Sequence, residues 1–274
     1  MKTAAATLGG ASRPPAFRGA ALPRASRAQV GYTARVLLSS RLFTAAGVVH
    51  GFTLRAAGDL KAPQDLERLA LAAGVARIST ARQVHLDRIA LVAADGAHKE
   101  IFAATGAPPD DAADGLVAAE PGAAVGVYTA DCVPVLLYDP ESGAGAAVHS
   151  GWRGTRLSIA ARGVRALQHA TGADPAHLIA AVGPCIGRCC YEVGAELSQA
   201  FRAQFGAEVA DEPGPRARLD LRLAVEKTLR EAGVPADRIE QVPGCTSCDA
   251  ASFFSYRREH GRTGRHLAWV AARA

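Results

Sequence analysis

Two apolar runs lie close together near the middle of the chain, VPVLLYD (133–139) and GAGAAVH (143–149), separated by the Pro, Ser and Gly of PESGAG (140–145). Runs this uniformly apolar mark strands covered on both faces, and the residues between them are turn formers. The pattern predicts a hairpin inside a sheet. LIAAVG (178–183) and HLAWVAA (266–272) read as further short strands. FTAAGVVHGFTL (43–54) reads as a strand or turn leading to Arg55, and RISTARQVHLDRIALVAA (77–94) as one or two strands with His85 at their junction. A period near 3.6 governs other segments. APQDLERLALAAG (62–74) fits a short helix with a Gly74 stop, and TRLSIAARGVRALQHATG (155–172) a helix with Ile159, Val164 and Leu167 on one face. GAELSQAFRAQFG (194–206) and DLRLAVEKTLREAGV (220–234) fit two more, the latter capped by Asp220 and stopped at Gly233. GAPPDDAADG (106–115) is a loop by its Pro and Asp content. Strands and helices alternate irregularly and nothing repeats, so a mixed α/β (α+β) domain is expected, without a regular βαβ rhythm.

Composition sharpens this picture. A chain of 274 residues can bury one large core, and 49% hydrophobic against 21% charged residues describes a folded protein. A single catalytic domain over residues 36–274 is expected. No apolar run is long enough to span a bilayer, so no membrane partner is expected. The net charge of +5 loses its meaning once located: residues 1–58 hold eight bases and no acid, which leaves 23 bases against 26 acids beyond them. Nucleic acid is therefore not an expected partner. Residues 1–35 form an Arg-, Ala- and Pro-rich extension expected to be disordered. It resembles a transit peptide in composition, has no sustained amphipathic pattern, and would equally arise from a misplaced start codon. With no secretory h-region and six cysteines in no extracellular framework, the expected compartment is the cytoplasm, with thiols reduced or metal-bound. Residues 123–132 and the hairpin fit inside a monomer or against a second copy, leaving a homo-oligomer open.

The hairpin would return the chain and bring Cys132 and His149 to the same end of the sheet. Gly151 and Gly154, around Trp152 and Arg153, would let a ligand approach the main chain there. From spacing alone, three readings stand: a thiolate and its base, two metal ligands, or a buried thiol beside a core histidine.

The blocks TADCVPVLLYD, AAVHSGWRGT, VGPCIGRCCYEVG and CTSCDAASFFSYRREHGRTGR resemble, in order, the signatures of the YfiH-type family of laccase-domain proteins, once called multicopper polyphenol oxidases. VVHGFTLR, RQVHLD and ADGLV are weaker matches upstream, and together the blocks cover most of residues 45–270. The resemblance implies mixed sheets layered between helices, a fold also similar to that of toxin deamidases. It implies a purine nucleoside phosphorylase, acting on adenosine, inosine, guanosine or methylthioadenosine with phosphate, that also has adenosine deaminase activity. It further implies zinc held by His85, Cys132 and His149. Three such ligands leave a fourth position for water or substrate, the pattern of a catalytic site. Arg55, Arg153 and Arg257 are candidates for phosphate or substrate, as paired donors to an anion, and Asp131 for orienting a ligand or a substrate hydroxyl. The segment after Arg55 is shorter and poorer in Gly, Ser and Asn than the family's, which puts substrate contacts from it in doubt.

Other functions remain open. A copper oxidase would lack an axial Met, since Met1 is the chain's only methionine, and no two histidines form an H-x-H pair. A Cys/His hydrolase or deamidase would use Cys132 as nucleophile and His149 as base, with cell-wall precursors as one substrate class. A zinc-stabilised interaction module would unfold on losing its metal. The remaining cysteines, Cys185, Cys189, Cys190, Cys245 and Cys248, have spacing that fits a structural zinc site, but buried thiols needing no metal are the preferred reading.

Overall fold

The structure is a computed structural model that describes residues 35–93, 97–102 and 110–273. The expected terminal extension lies outside the described residues except for Arg35, as do residues 106–109 of the expected loop. The elements are β1 (Leu37–Leu38), α1 (Arg41–Ala45), β2 (His50–Thr53), α2 (Pro63–Ala73), β3 (Ile89–Val92), β4 (His98–Phe102), β5 (Gly115–Ala118), β6 (Ala124–Thr129), β7 (Val133–Tyr138) and β8 (Gly145–Ser150). There follow α3 (Trp152–Arg156), α4 (Ile159–Thr171), β9 (Ile179–Val182), β10 (Glu192–Val193), α5 (Ala195–Phe205), β11 (Ala217–Arg218), α6 (Leu221–Glu231), β12 (Ile239–Gln241) and β13 (His266–Ala271). A seven-stranded mixed sheet has the order β12-β9-β7-β8-β5-β3-β4, a four-stranded antiparallel sheet the order β1-β2-β13-β6, and β10 pairs with β11.

Side-chain alternation along the strands explains the layering. On β7, Val133, Val135 and Leu137 pack with Ile159, Val164 and Leu167 of α4 and with Val225 and Leu229 of α6. Leu136 and Tyr138, between them in sequence, face the other way and meet Val125 and Val127 of β6 and Ala268 and Val270 of β13. On β13, Leu267 and Trp269 face out from that second sheet and are covered by Leu69 and Ala70 of α2. The order of layers is helix, large sheet, small sheet, helix, so the expected layering of mixed sheets between helices holds. The residues on both faces of β7 and β8 are buried, which is why their sequences are uniformly apolar. Residues 123–132, compatible with packing inside the chain or against a neighbour, here contribute β6, which pairs with β13 from Ala124 to Thr129.

Several boundaries differ from expectation, each for a local reason. The helix expected over 155–172 is two: α3 starts at Trp152, and Ser158 in the left-handed region (φ 56°) breaks the chain before α4. The expected helix ends elsewhere hold. Asp220 accepts from the Leu223 amide at 3.0 Å, and Gly74 closes α2 with φ 73°. In the 43–54 stretch, Phe43 belongs to α1 and only His50–Thr53 is strand. Of the segment 77–94, only Ile89–Val92 is strand. Its earlier part makes isolated bridges at Ser79 and Arg82, and its amides at Val84, His85 and Leu86 go to the carboxylate of Asp114 and not to a neighbouring strand. Among the described residues, no helix is long and apolar enough to cross a membrane.

Candidate metal centre and substrate cavity

The site forms where the two sheets part. After Thr129 the chain leaves the small sheet, turns through Ala130, Asp131 and Cys132, and enters the large sheet at Val133. In the β7–β8 register, Pro134 lies opposite His149 and Val133 opposite Ser150, so the hairpin brings Cys132 level with the end of β8, as expected. His85 arrives from the irregular segment held by Asp114. The ligating atoms of His85, Cys132 and His149 lie within 4.8 Å of one another, and the two imidazoles meet edge to face, ring centroids 4.8 Å apart. His85 and Asp131 both have positive φ, 62° and 93°. Such conformations cost on the order of 1–3 kcal/mol in a residue with a side chain and persist where the surroundings over-determine them.

Asp114 is the residue that sequence reasoning missed. It is fully buried, accepts the three amides of Val84, His85 and Leu86, and its Oδ1 lies 2.8 Å from His149 Nδ1. Burial alone would raise its pKa, but the hydrogen bond and charge of His149, with the Leu86 and Val84 amides, hold it below the usual carboxylate value. An ionised Asp114 can only accept, so His149 Nδ1 carries the proton and Nε2 is left to face Cys132. The signal was present in ADGLV, where Asp114 precedes β5, but a lone Asp before a strand reads equally as a turn residue.

Burial would raise the Cys132 thiol, yet His149 and His85 bring it down to about 6. His149 is pushed up to about 10, against its burial, by the charge of Cys132 and the bond to Asp114. The result is a Cys132 thiolate paired with a protonated His149, and a soft cation bound there would take the place of the His149 proton that faces the thiolate. The donor set also leaves room for one. A Cβ built on Gly151 would lie 3.0 Å from Cys132 Sγ and 3.1 Å from His85 Cδ2. Gly151 has an ordinary φ of −76°, so the absence of a side chain there serves the space between the ligands and not the backbone. Gly151→Ala is expected to leave the fold intact by circular dichroism and to lower metal occupancy after dialysis by about tenfold or more, as ligand-orienting changes do.

A cavity of about 530 Å³ opens over these three residues. Its lining carries five cationic side chains, Lys61, Arg82, Arg153, Arg257 and Arg265, against the single carboxylate of Asp131. Four of the five lie over rings: Arg153 over Trp152 at 4.6 Å, Arg257 over Tyr191 at 5.3 Å, Lys61 over Tyr128 at 5.6 Å and Arg265 over Tyr256 at 5.7 Å. Arg153 and Arg257, both expected at the site, are thus there. Asp131 lines the cavity too, but its carboxylate is occupied by Thr246 Oγ1 (2.6 Å), Ser255 Oγ (3.1 Å) and the Arg257 amide (2.7 Å). It holds the loop that carries Arg257. Arg55 is placed differently. It pairs with Glu259, donates to the Phe253 carbonyl, lies 4.5 Å over the Phe254 ring, and is not among the residues lining the cavity. Its guanidinium is taken up in bracing the 253–259 loop.

A sandwich of two sheets with soft donors at the floor of a cation-rimmed cavity defines a mixed α/β domain built around a metal-competent site. Residues 59–273 match the family model described as multi-copper polyphenol oxidoreductase laccase, and the chain belongs to that family. Its relatives carry enzyme names. The chain is 37% identical over 213 residues, 78% of its own length and 82% of the relative's, to purine nucleoside phosphorylase SCO2081 of Streptomyces coelicolor. It is 39% identical over 165 residues, 58% of this chain and 60% of the relative, to purine nucleoside phosphorylase YlmD of Geobacillus stearothermophilus, and 38% identical over 192 residues, 67% and 71%, to adenosine deaminase RL5 of an unknown prokaryote. Crystal structures of YlmD from G. stearothermophilus (31% identity, covering 88% of this chain and 97% of that one) and of Bacillus licheniformis hypothetical protein YfiH (28% identity, 87% and 97%) share the fold, each with a TM-score of 0.75.

Proposed function

We propose that this chain is a zinc-dependent purine nucleoside phosphorylase, acting on adenosine, inosine, guanosine or methylthioadenosine, with adenosine deaminase activity at the same site. One observation carries the reading: His85, Cys132 and His149 converge to within 4.8 Å on the floor of a cavity whose charged lining is almost wholly cationic. Two imidazoles and a thiolate suit zinc, and a fourth position faces the cavity. Copper suits them less well, because the chain's only methionine is Met1, leaving no axial Met. Zinc at such a site supplies Lewis acidity and lowers the pKa of water.

The chain's own residues do the rest. Arg153 and Arg257 hold phosphate as paired donors. The rings of Trp152, Tyr191 and Tyr256 line the cavity and give the purine apolar faces. Burial, with the nearby Cys132 and Asp131, pushes the Tyr191 hydroxyl up to about 12, so it stays protonated and can donate to the substrate. In phosphorolysis a phosphate oxygen bonds to ribose C1′ as the glycosidic nitrogen departs with its electron pair and is protonated. In deamination water adds to C6, the C6–N bond breaks, and the amino group takes up a proton and leaves as ammonia, giving inosine.

The test is incubation with adenosine and inosine, with and without phosphate, following free base, ribose 1-phosphate and inosine by chromatography. Base release that requires phosphate is expected. Arg153→Ala is expected to raise KM for phosphate by about tenfold or more, the worth of a charge-assisted hydrogen bond, with a smaller change in KM for nucleoside. A second reading is favoured by the Cys132–His149–Asp114 alignment, which also matches a nucleophile, base and orienting carboxylate, and would make the chain a hydrolase or deamidase, with cell-wall precursors as one substrate class. It predicts turnover that survives chelation and a covalent adduct on Cys132, whereas the phosphorylase reading predicts neither.

A further inference from the structure

A second cluster of soft ligands lies outside the cavity lining, on loops that also contribute residues to it. The Sγ atoms of Cys189, Cys190, Cys245 and Cys248 all lie within 4.8 Å of one another. The pairs Cys189–Cys245, Cys189–Cys248 and Cys190–Cys248 are 3.6, 3.4 and 3.3 Å apart, and all four are free thiols. Four thiolates around one tetrahedral zinc at about 2.3 Å would place their sulfurs about 3.8 Å apart, close to what is seen. The spread leaves room for a single ion.

Three further features fit a metal better than four idle thiols. The Gly187 amide points at Cys245 Sγ at 3.2 Å, as amides do at thiolate ligands. A Cβ on Gly187 would lie 3.2 Å from Cys189 Sγ and 3.4 Å from Cys245 Sγ, so this position too favours glycine for the space it leaves around sulfur. Two guanidinium groups also fix the backbone on either side of the cluster: Arg218 donates to the Cys189 carbonyl, and Arg258 to those of Thr246 and Ser247. Cys185, grouped with these four by sequence spacing, is not one of them: it is buried, 3.4 Å from Arg222 Nε.

We infer that Cys189, Cys190, Cys245 and Cys248 bind a second, structural zinc ion that ties the 185–191 loop to the 245–258 loop. Both loops reach the substrate cavity. The first supplies Ile186, whose amide donates to the Asp131 carbonyl at 2.9 Å, and Tyr191. The second supplies Tyr256 and Arg257, and Thr246, which holds the Asp131 carboxylate. The ion would fasten, through Ile186 and Thr246, the turn that presents Cys132, without lining the cavity. The inference is independent of which reaction the cavity performs.

Metal analysis of the full chain, purified under reducing conditions without added metal chelator, tests it. Two zinc ions per chain are expected in the wild type, one in Cys132→Ala, and one in the Cys245→Ser/Cys248→Ser double variant. Should the double variant fail to fold, the ion retained by Cys132→Ala decides: exchanged for cobalt, it should show the intense thiolate charge-transfer absorption of a four-sulfur tetrahedral centre. A single zinc in the wild type that disappears with Cys132, a cobalt spectrum of low sulfur count in Cys132→Ala, or disulfides among the four cysteines in the purified chain would each overturn the inference.

Discussion

On the proposed phosphorylase reading, Cys132→Ala is expected to lower nucleoside phosphorolysis by about a thousandfold or more and to remove the proposed zinc, while the far-ultraviolet circular dichroism stays that of the wild type. The size follows from the work asked of the site: about 4 kcal/mol of transition-state stabilisation is on the order of what a bound metal supplies, and each tenfold in rate is about 1.4 kcal/mol. The fold should survive because Cys132 occupies the turn between the sheets and not their shared core, whose members are Leu136, Tyr138, Val125 and Val270. Parallel assays of activity, zinc content and circular dichroism check it. An interaction module stabilised by zinc would instead unfold together with its loss of metal. A variant that keeps its activity would detach the chemistry from Cys132.

Asp114→Asn is expected to have the larger effect on stability, about 3 kcal/mol or more, read as a lower midpoint in urea. The carboxylate is fully buried and takes four hydrogen bonds, three from successive amides and one from His149. An asparagine offers one oxygen in place of two and turns an NH₂ group toward donors, so at least one amide or the His149 Nδ1–H is orphaned in a buried place, and a charged partner is lost. The segment bearing His85 hangs on those amides, so metal affinity should fall by about 10–100-fold as well. The pH dependence has a definite sign. Because the folded-state pKa of Asp114 is depressed, its contribution is fully present above the unfolded carboxylate value of about 3.9 and is lost as pH falls through the lower folded value. The Asn variant should lack that portion of the acid limb, which urea titrations from neutral to acidic pH would show. Equal acid sensitivity in both proteins would remove Asp114 as its source.

The hairpin was legible because its two strands are buried on both faces, which forces an unbroken apolar sequence, and because Asp139 and the following Ser and Gly form a turn. Asp139 accepts from the Glu141 and Ser142 amides. The helix ends at Gly74 and Asp220 were legible for the same kind of local reason. Residues 77–88 misled, because an alternating, β-branched sequence was expected to form a strand, whereas it pairs with neighbours only at Ser79 and Arg82 and the Asp114 carboxylate captures the amides of Val84, His85 and Leu86. Arg55 misled for another reason. A guanidinium near a motif suits an anion, but Glu259, 204 residues further on, and the Phe254 ring engage it first.

What the sequence determined by itself was therefore what depends on near neighbours: strand against helix, the turn at 139–145, the caps, and the proximity of Cys132 to His149 through one hairpin. Tertiary structure alone decided what depends on residues far apart in the chain. It brought His85 to the pair through Asp114, set Arg153 and Arg257 on one cavity while withdrawing Arg55, and gathered Cys189 and Cys190 with Cys245 and Cys248 while leaving Cys185 apart. Local periodicity reports which face of an element is buried. Which partner fills a hydrogen bond or shares a ligand sphere is settled only when the sheets pack, because that choice is a competition among groups that the chain's covalent order does not rank.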